Sequence, residues 1–102
     1  MFFLQIRIEN RPLTYHEKMK FHENLREVMN AYEYYTKNKF MRFDVIVLER
    51  IIRVATPAQI IAVIKMYSKH AKYAKNFTFF GYIEPIVINQ FRNKRGGGKS
   101  NG

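Results

Sequence analysis

The run from Phe40 to Val54 constrains the fold of this chain more than any other stretch. It reads Phe-Met-Arg-Phe-Asp-Val-Ile-Val-Leu-Glu-Arg-Ile-Ile-Arg-Val and leads into Thr56-Pro57-Ala58-Gln59, a helix start. Between Phe43 and Leu48 it is apolar on both strand faces apart from Asp44, the pattern of a strand covered on both sides or held at an interface. The run is long for one strand, so a bend near Glu49-Arg50 is expected. Residues 2–9 carry a sparser version of the pattern. Phe2, Leu4, Ile6 and Ile8 alternate with Phe3, Gln5, Arg7 and Glu9, as in a strand buried on one face. Phe3, Ile6, Ile8 and Glu9 recur forty residues later as Phe43, Ile46, Leu48 and Glu49, and a helix start follows each set. Two related strand–helix units account for this recurrence.

Both helix starts have a physical signature. Thr14-Tyr15-His16-Glu17 fits a capping box, and Thr56-Pro57-Ala58-Gln59 repeats it with proline at the first helical position. After the first start, Phe21, Leu25, Val28, Tyr32 and Tyr35 form one apolar stripe, flanked by Met29, with Tyr34 on the polar side. Glu33 and Lys37 stand at i,i+4 in the favourable order, and Asn38 marks an end. After the second start, Ile60, Val63, Ile64, Tyr67, Ala71 and Ala74 form the buried stripe as far as Asn76. Ile61 falls opposite, among Lys65, Lys69 and Lys72. Phe77–Glu84 reads as an aromatic strand in which Phe80 and Ile83 keep the earlier Phe-x-x-Ile spacing, and Pro85 marks an edge or bend.

These elements predict an α+β domain of two tandem strand–helix(–strand) repeats, with both helices packed on one small sheet. The order is ferredoxin-like, β-α-β-β-α-β, if the middle run folds into two strands, and β-α-β-α-β if it stays one. One domain over residues 1–90 is expected, built from related motifs at about 1–40 and 41–90. A flexible, basic, glycine-rich tail follows over 91–102.

Composition limits the function. A chain of 102 residues, 47% hydrophobic and 16% aromatic, has enough apolar material for one core. The longest uncharged run, Val54–Ile64, is eleven residues, against the roughly 20 that span a bilayer. The start, Met1-Phe2-Phe3-Leu4, lacks a basic n-region and a long apolar stretch, so no signal peptide is expected. There is no cysteine, which excludes disulfides and thiol chemistry. An intracellular location is the expectation, with no membrane partner. Net charge is +10, and with the four tail cations Arg92, Lys94, Arg95 and Lys99 set aside residues 1–90 still carry +6. Such a surface favours nucleic acid, anionic membrane or an acidic protein.

No catalytic or cofactor-binding set is evident. His16, His22 and His70 lack metal-ligand spacing. Ser68 and Ser100 do not sit in a nucleophile elbow. Asp44 is the single aspartate, opposite in strand parity to Glu49, and reads as a buried or capping residue rather than a metal ligand. Gly96-Gly97-Gly98-Lys99-Ser100 resembles the end of a phosphate-binding loop but has Asn93 where a glycine is required, and no helix follows. The Lys75-x-Phe77-x-Phe79-Phe80-x-Tyr82 spacing resembles an RNA-recognition strand without its glycines; core aromatics explain it better.

Two binding surfaces stand out. Lys65, Lys69, Lys72 and Lys75 form an acid-free strip on the second helix, which together with Arg92, Lys94 and Arg95 can track phosphates. Phe3, Tyr34, Val45, Val47 and Ile61 are candidates for a protein interface, either at a groove between the two repeats or in self-association.

Over its whole length, from MFFLQIRIENRPLTYHEKMKF through FMRFDVIVLERIIRVATPAQIIAVIKMYSKHAKYAKN, the chain resembles a small orphan protein of Acidianus filamentous virus, a virus of hyperthermophilic archaea. The resemblance implies a viral protein in the host cytoplasm and transfers no site residues. The expected function is a non-enzymatic protein–protein contact through the groove between the repeats. The alternative is nucleic-acid binding by the lysine strip and tail.

Overall fold

Thr14 and Glu17 close the first capping box as the spacing predicts. The Thr14 hydroxyl accepts from the Glu17 amide at 3.1 Å, and Glu17 Oε1 accepts from the Thr14 amide at 2.9 Å. The computed structural model describes residues 9–92. Helix α1 (Tyr15–Lys18) is a single turn and α2 (Glu23–Thr36) the longest helix described. They are followed by α3 (Asp44–Ile51), α4 (Pro57–Lys69), α5 (Ala71–Ala74), a 3-10 turn over Phe80–Ile83, α6 (Glu84–Val87) and a wide π turn over Ile88–Arg92.

Among the described residues there is no strand. The β pairing there is an isolated antiparallel bridge between Pro12 and Met41, whose neighbours bond as Leu13 N to Phe40 O at 3.0 Å and Arg42 N to Arg11 O at 2.7 Å. The α+β expectation is therefore wrong, and so are the sheet and the ferredoxin-like order. The N-terminal strand expected over residues 2–9, Phe3 included, lies outside the described residues except for Glu9.

The middle run departs from its expected form for an identifiable reason. A short apolar stretch has no period that separates a buried strand from a buried helix. Asp44–Ile51 is helical, with Leu48 and Ile51 buried three residues apart and Ala55 following four later, while Ile46 is 52% exposed. Asp44 in the first turn and Arg50 in the last complement the helix dipole. Valine and isoleucine each cost a few tenths of a kcal/mol in a helix, roughly, and burial of Leu48 and Ile51 outweighs that. The strand–helix form of the repeat falls with the strands, and its first copy, residues 3–9, lies outside the described residues except for Glu9. Phe43 and Ile46 are both exposed, whereas their supposed counterparts Phe80 and Ile83 are fully buried. Their shared three-residue spacing puts two side chains on one face of a helix but on opposite faces of a strand. Phe77, Phe80, Ile83 and Val87, all buried, continue that helical spacing through the stretch expected to be an aromatic strand. Pro85 opens α6 rather than ending a strand.

Helices α2 and α4 make the main packing contact. Asn24 and Glu27 of α2 share a cleft with Thr56, Pro57, Ala58 and Ile61 at the start of α4. At the other end, Lys69 of α4 reaches the ring of Tyr35 of α2. The two helices thus run in the same direction, and residues 37–56, with α3, carry the chain back between them. Tyr32 stands at the centre of the core, with ring centroids 6.1 Å from Phe40, 5.8 Å from Phe77 and 5.3 Å from Phe80. Phe40 and Phe80 meet at 4.9 Å, so one aromatic cluster joins α2 to the turn before α6. Arg50 and Glu84 form a two-pronged ion pair between α3 and α6, with Arg50 Nη2 at 2.8 Å from Glu84 Oε1.

Each expected long helix is two helices. The first breaks after Lys18 and restarts at Glu23, where His22 Nδ1 accepts from the Asn24 amide at 3.2 Å. The second breaks at His70, whose backbone amide closes α4 onto Met66 O while its Nδ1 accepts from the Lys72 amide at 3.1 Å and caps α5. Ala71, expected in the buried stripe, is consequently exposed.

Candidate nucleic-acid interface

Helix direction creates the chemistry of one end of the molecule. Parallel packing of α2 and α4 brings their two C-terminal ends, each with a partial negative charge of roughly half a unit, side by side. The residues at and beyond these ends are cationic and aromatic. Lys37 Nζ lies over the Tyr34 ring at 5.0 Å from its centroid, and Tyr34 meets Tyr35 edge to face at 4.9 Å. Lys69 Nζ lies over Tyr35 at 5.6 Å, so the order across the two helices is cation, ring, ring, cation. Past the His70 break the pattern continues. Tyr73 sits 5.0 Å from Tyr67 and 4.8 Å from His70, and Lys72 Nζ lies 5.6 Å over Tyr73.

Carboxylates are missing from both segments that build this end, residues 34–43 and 61–83. Of the three that border them, Asp44 takes the Met41 amide, Glu84 takes Arg50, and Glu33 is engaged twice. One of its oxygens takes Lys18 Nζ at 2.6 Å and the other takes the Phe40 amide at 2.8 Å. The expected Glu33–Lys37 pair therefore does not form. Lys37 instead leaves the helix in the left-handed conformation, at φ 66°, one residue before the expected stop at Asn38.

The expected nucleic-acid residues divide as follows. Lys65 and Lys69 are exposed one turn apart on α4, and Lys72 and Lys75 are exposed on α5 and at its C-terminal cap. The strip thus spans two helices. Arg92 is exposed at the end of the C-terminal helical segment, a different element. Lys94 and Arg95 lie outside the described residues. Lys37, Tyr35, Tyr67 and Tyr73 were not expected at this site. The Tyr34-Tyr35-x-Lys37 and Lys72-Tyr73 doublets were the available signal.

The expected protein-interface residues are scattered. Tyr34, 66% exposed, belongs to the basic end. Ile61 is half-buried at the far end of α4, in a cleft of about 440 Å³ between the helix starts. Val45 is half-buried on α3 and lines a separate cleft of about 330 Å³ with Leu13, Phe21 and Arg42. Val47, also half-buried on α3, faces the Phe79–Gly81 turn; a Cβ on Gly81 would lie 3.8 Å from Val47 Cγ2 and 3.3 Å from the Phe79 ring. Phe3 lies outside the described residues. The strand–helix repeats whose seam was to supply a groove do not form among the described residues.

Asp44 is half-buried. Its Oδ2 accepts from the Met41 amide at 2.8 Å, and burial raises its carboxyl above the ordinary 3.8. Burial likewise raises the Tyr32 hydroxyl above 10.0. The described residues contain no group of three or more histidine and carboxylate side chains able to hold a metal ion. No helix among them is long and apolar enough to cross a membrane. No protein-family model, curated protein or solved structure matches the chain.

Proposed function

We propose that this protein binds nucleic acid through the paired C-terminal ends of α2 and α4. The observation that carries this reading is the acid-free array of Lys37, Lys69 and Lys72, each with its ammonium over a tyrosine ring. Cations at helix C-termini also offset the helix dipoles, and that alone accounts for Lys69 in the last turn of α4 and Lys37 at the cap of α2. It does not call for a tyrosine under each ammonium, nor for Lys65 and Lys75 beside them with no carboxylate between. Lysines on a convex helix end neutralise phosphates by counterion release, which needs no pocket.

The test is fluorescence anisotropy of labelled oligonucleotides across a salt series. Binding should weaken steeply with salt. The Lys65→Ala/Lys69→Ala/Lys72→Ala/Lys75→Ala variant should flatten the slope by about one unit for each phosphate that these lysines neutralise in the wild type. Absence of salt-sensitive binding, or binding unaltered in that variant, would remove the reading.

A protein contact is the second reading, and it moves to a new place. Phe43, Ile46 and Phe79 are 40%, 52% and 56% exposed, and Phe79 and Val47 both border Gly81. Exposed aromatics and aliphatics of this kind anchor interfaces. A viral protein acting in a host cytoplasm accommodates either reading.

A further inference from the structure

We infer that the basic end takes single-stranded nucleic acid with unpaired bases, and that Tyr34 is the residue on which a base stacks. This rests on the nucleic-acid reading above and narrows its substrate class. A duplex offers phosphates but keeps its base faces inside the stack, so only a single strand can use an exposed ring as a platform. Tyr34 meets the requirement among the tyrosines of this end. It is 66% exposed, whereas Tyr35, Tyr67 and Tyr73 are partly buried in their packing against neighbours. A ring covered on both faces cannot be two-thirds exposed, so Tyr34 keeps an open face even with the Lys37 ammonium 5.0 Å from its centroid.

Lys37 supplies the second, independent observation. It is the one non-glycine residue with positive φ among the described residues, at the C-terminal cap where glycine is the favoured choice. A left-handed residue is a common way for a helix to end, and what matters here is where it sends the lysine. Here the left-handed turn folds Lys37 back over one face of the Tyr34 ring and leaves the other face for the base. A strand whose base stacks on Tyr34 would place its phosphate within reach of Lys37, with Lys69 beyond the adjoining Tyr35 ring as the next cation.

The experiment compares an oligothymidine single strand with a duplex of the same length at one moderate salt concentration. The wild type, Tyr34→Leu, Tyr34→Phe and Lys37→Gly proteins are each measured. The single strand should bind tighter than the duplex. Tyr34→Leu should weaken single-strand binding by about fivefold or more, well beyond any loss in duplex binding, with Tyr34→Phe near wild type. Lys37→Gly should raise the denaturation midpoint while weakening single-strand binding, a combination that a purely structural role for Lys37 would not produce. Equal affinity for strand and duplex, with Tyr34→Leu without effect, overturns the inference while the nucleic-acid reading stands. Failure to bind either form removes that reading and the inference with it. Because Tyr34 is exposed, both of its variants should fold, and their denaturation midpoints check this.

Discussion

Lys18 and Glu33 meet at 2.6 Å across fifteen residues of sequence, with side chains only 15% and 22% exposed, and this pair fastens α1 to α2. The second oxygen of Glu33 holds the Phe40 amide, so one carboxylate fixes both the entry to α2 and the chain leaving it. Glu33→Ala would leave the Lys18 ammonium and a partly buried amide unpaired. The expected loss is about 2–3 kcal/mol in chemical denaturation, and Glu33→Gln, which keeps an acceptor, should lose less.

Acid should destabilise this protein through two carboxylates and a third should oppose them. Glu17 is held at about 2, against an ordinary 4.5, by its hydrogen bonds from Arg11 and from the Thr14 amide. Glu84 is lowered by Arg50. A lowered folded-state pKa gives stability that is present above the unfolded value and lost as pH falls through the folded one. For Glu17 that window runs from 4.5 down to about 2. Asp44, raised by burial, has the opposite sign: the folded state takes up its proton first, so this group adds stability as pH falls through its folded pKa toward 3.8. Melting temperatures across the acid range should therefore fall less steeply in Glu17→Gln than in the wild type, and more steeply in Asp44→Asn.

The helical register of the middle run has its own test. Were it a strand alternating with the first, Ile46 would sit on the same face as Leu48 and be buried with it. In the structure Ile46 is 52% exposed and Leu48 is 1% exposed. Ile46→Lys should change stability by no more than about 0.5 kcal/mol, whereas Leu48→Ala should cost about 2–5. Similar losses at both positions would contradict the helix.

Truncating the aromatic centre should be severe. Tyr32→Ala removes a ring that touches Phe40, Phe77 and Phe80 at once and leaves a cavity among them. A loss of about 3–5 kcal/mol is expected in equilibrium unfolding.

Caps supply a smaller prediction. His22 uses Nδ1 to accept from the Asn24 amide at the head of the longest helix described. His22→Ala should cost about 1 kcal/mol and His22→Asn should restore most of it, by thermal melting.

Local chemistry was legible in the sequence wherever it depends on a few adjacent residues. Thr14 with Glu17 and Thr56 with Gln59 form the two capping boxes they spell, with the Thr56 amide 2.9 Å from Gln59 Oε1. The stripe Leu25, Val28, Tyr32 and Tyr35 faces the core, as does Ile60, Val63, Ile64 and Tyr67. Lys65 and Lys69 were legible for the same reason, since four-residue spacing sets a face, whereas Lys72 and Lys75 belong to a second helix beyond the His70 break. His22 and His70 were not read as breaks, because a histidine caps a helix only when the backbone beyond it is already poised to donate to its ring.

Tertiary structure decided the rest. Whether Asp44–Ile51 is strand or helix depends on which of its apolar residues find a partner. Leu48 and Ile51 share one core with Phe80, Ile83 and Val87, and α3 packs on the Phe80–Ile83 turn and α6, far along the chain. A run apolar on every side carries no period to settle that in advance. The basic end is likewise a product of packing. Lysines and tyrosines crowd the ends of two helices because of their order along the chain; the parallel arrangement of α2 and α4 set those ends side by side and laid Lys69 over Tyr35. Helix direction relative to a neighbour follows from burial of faces across the whole domain, a non-local free energy that no window of the sequence contains.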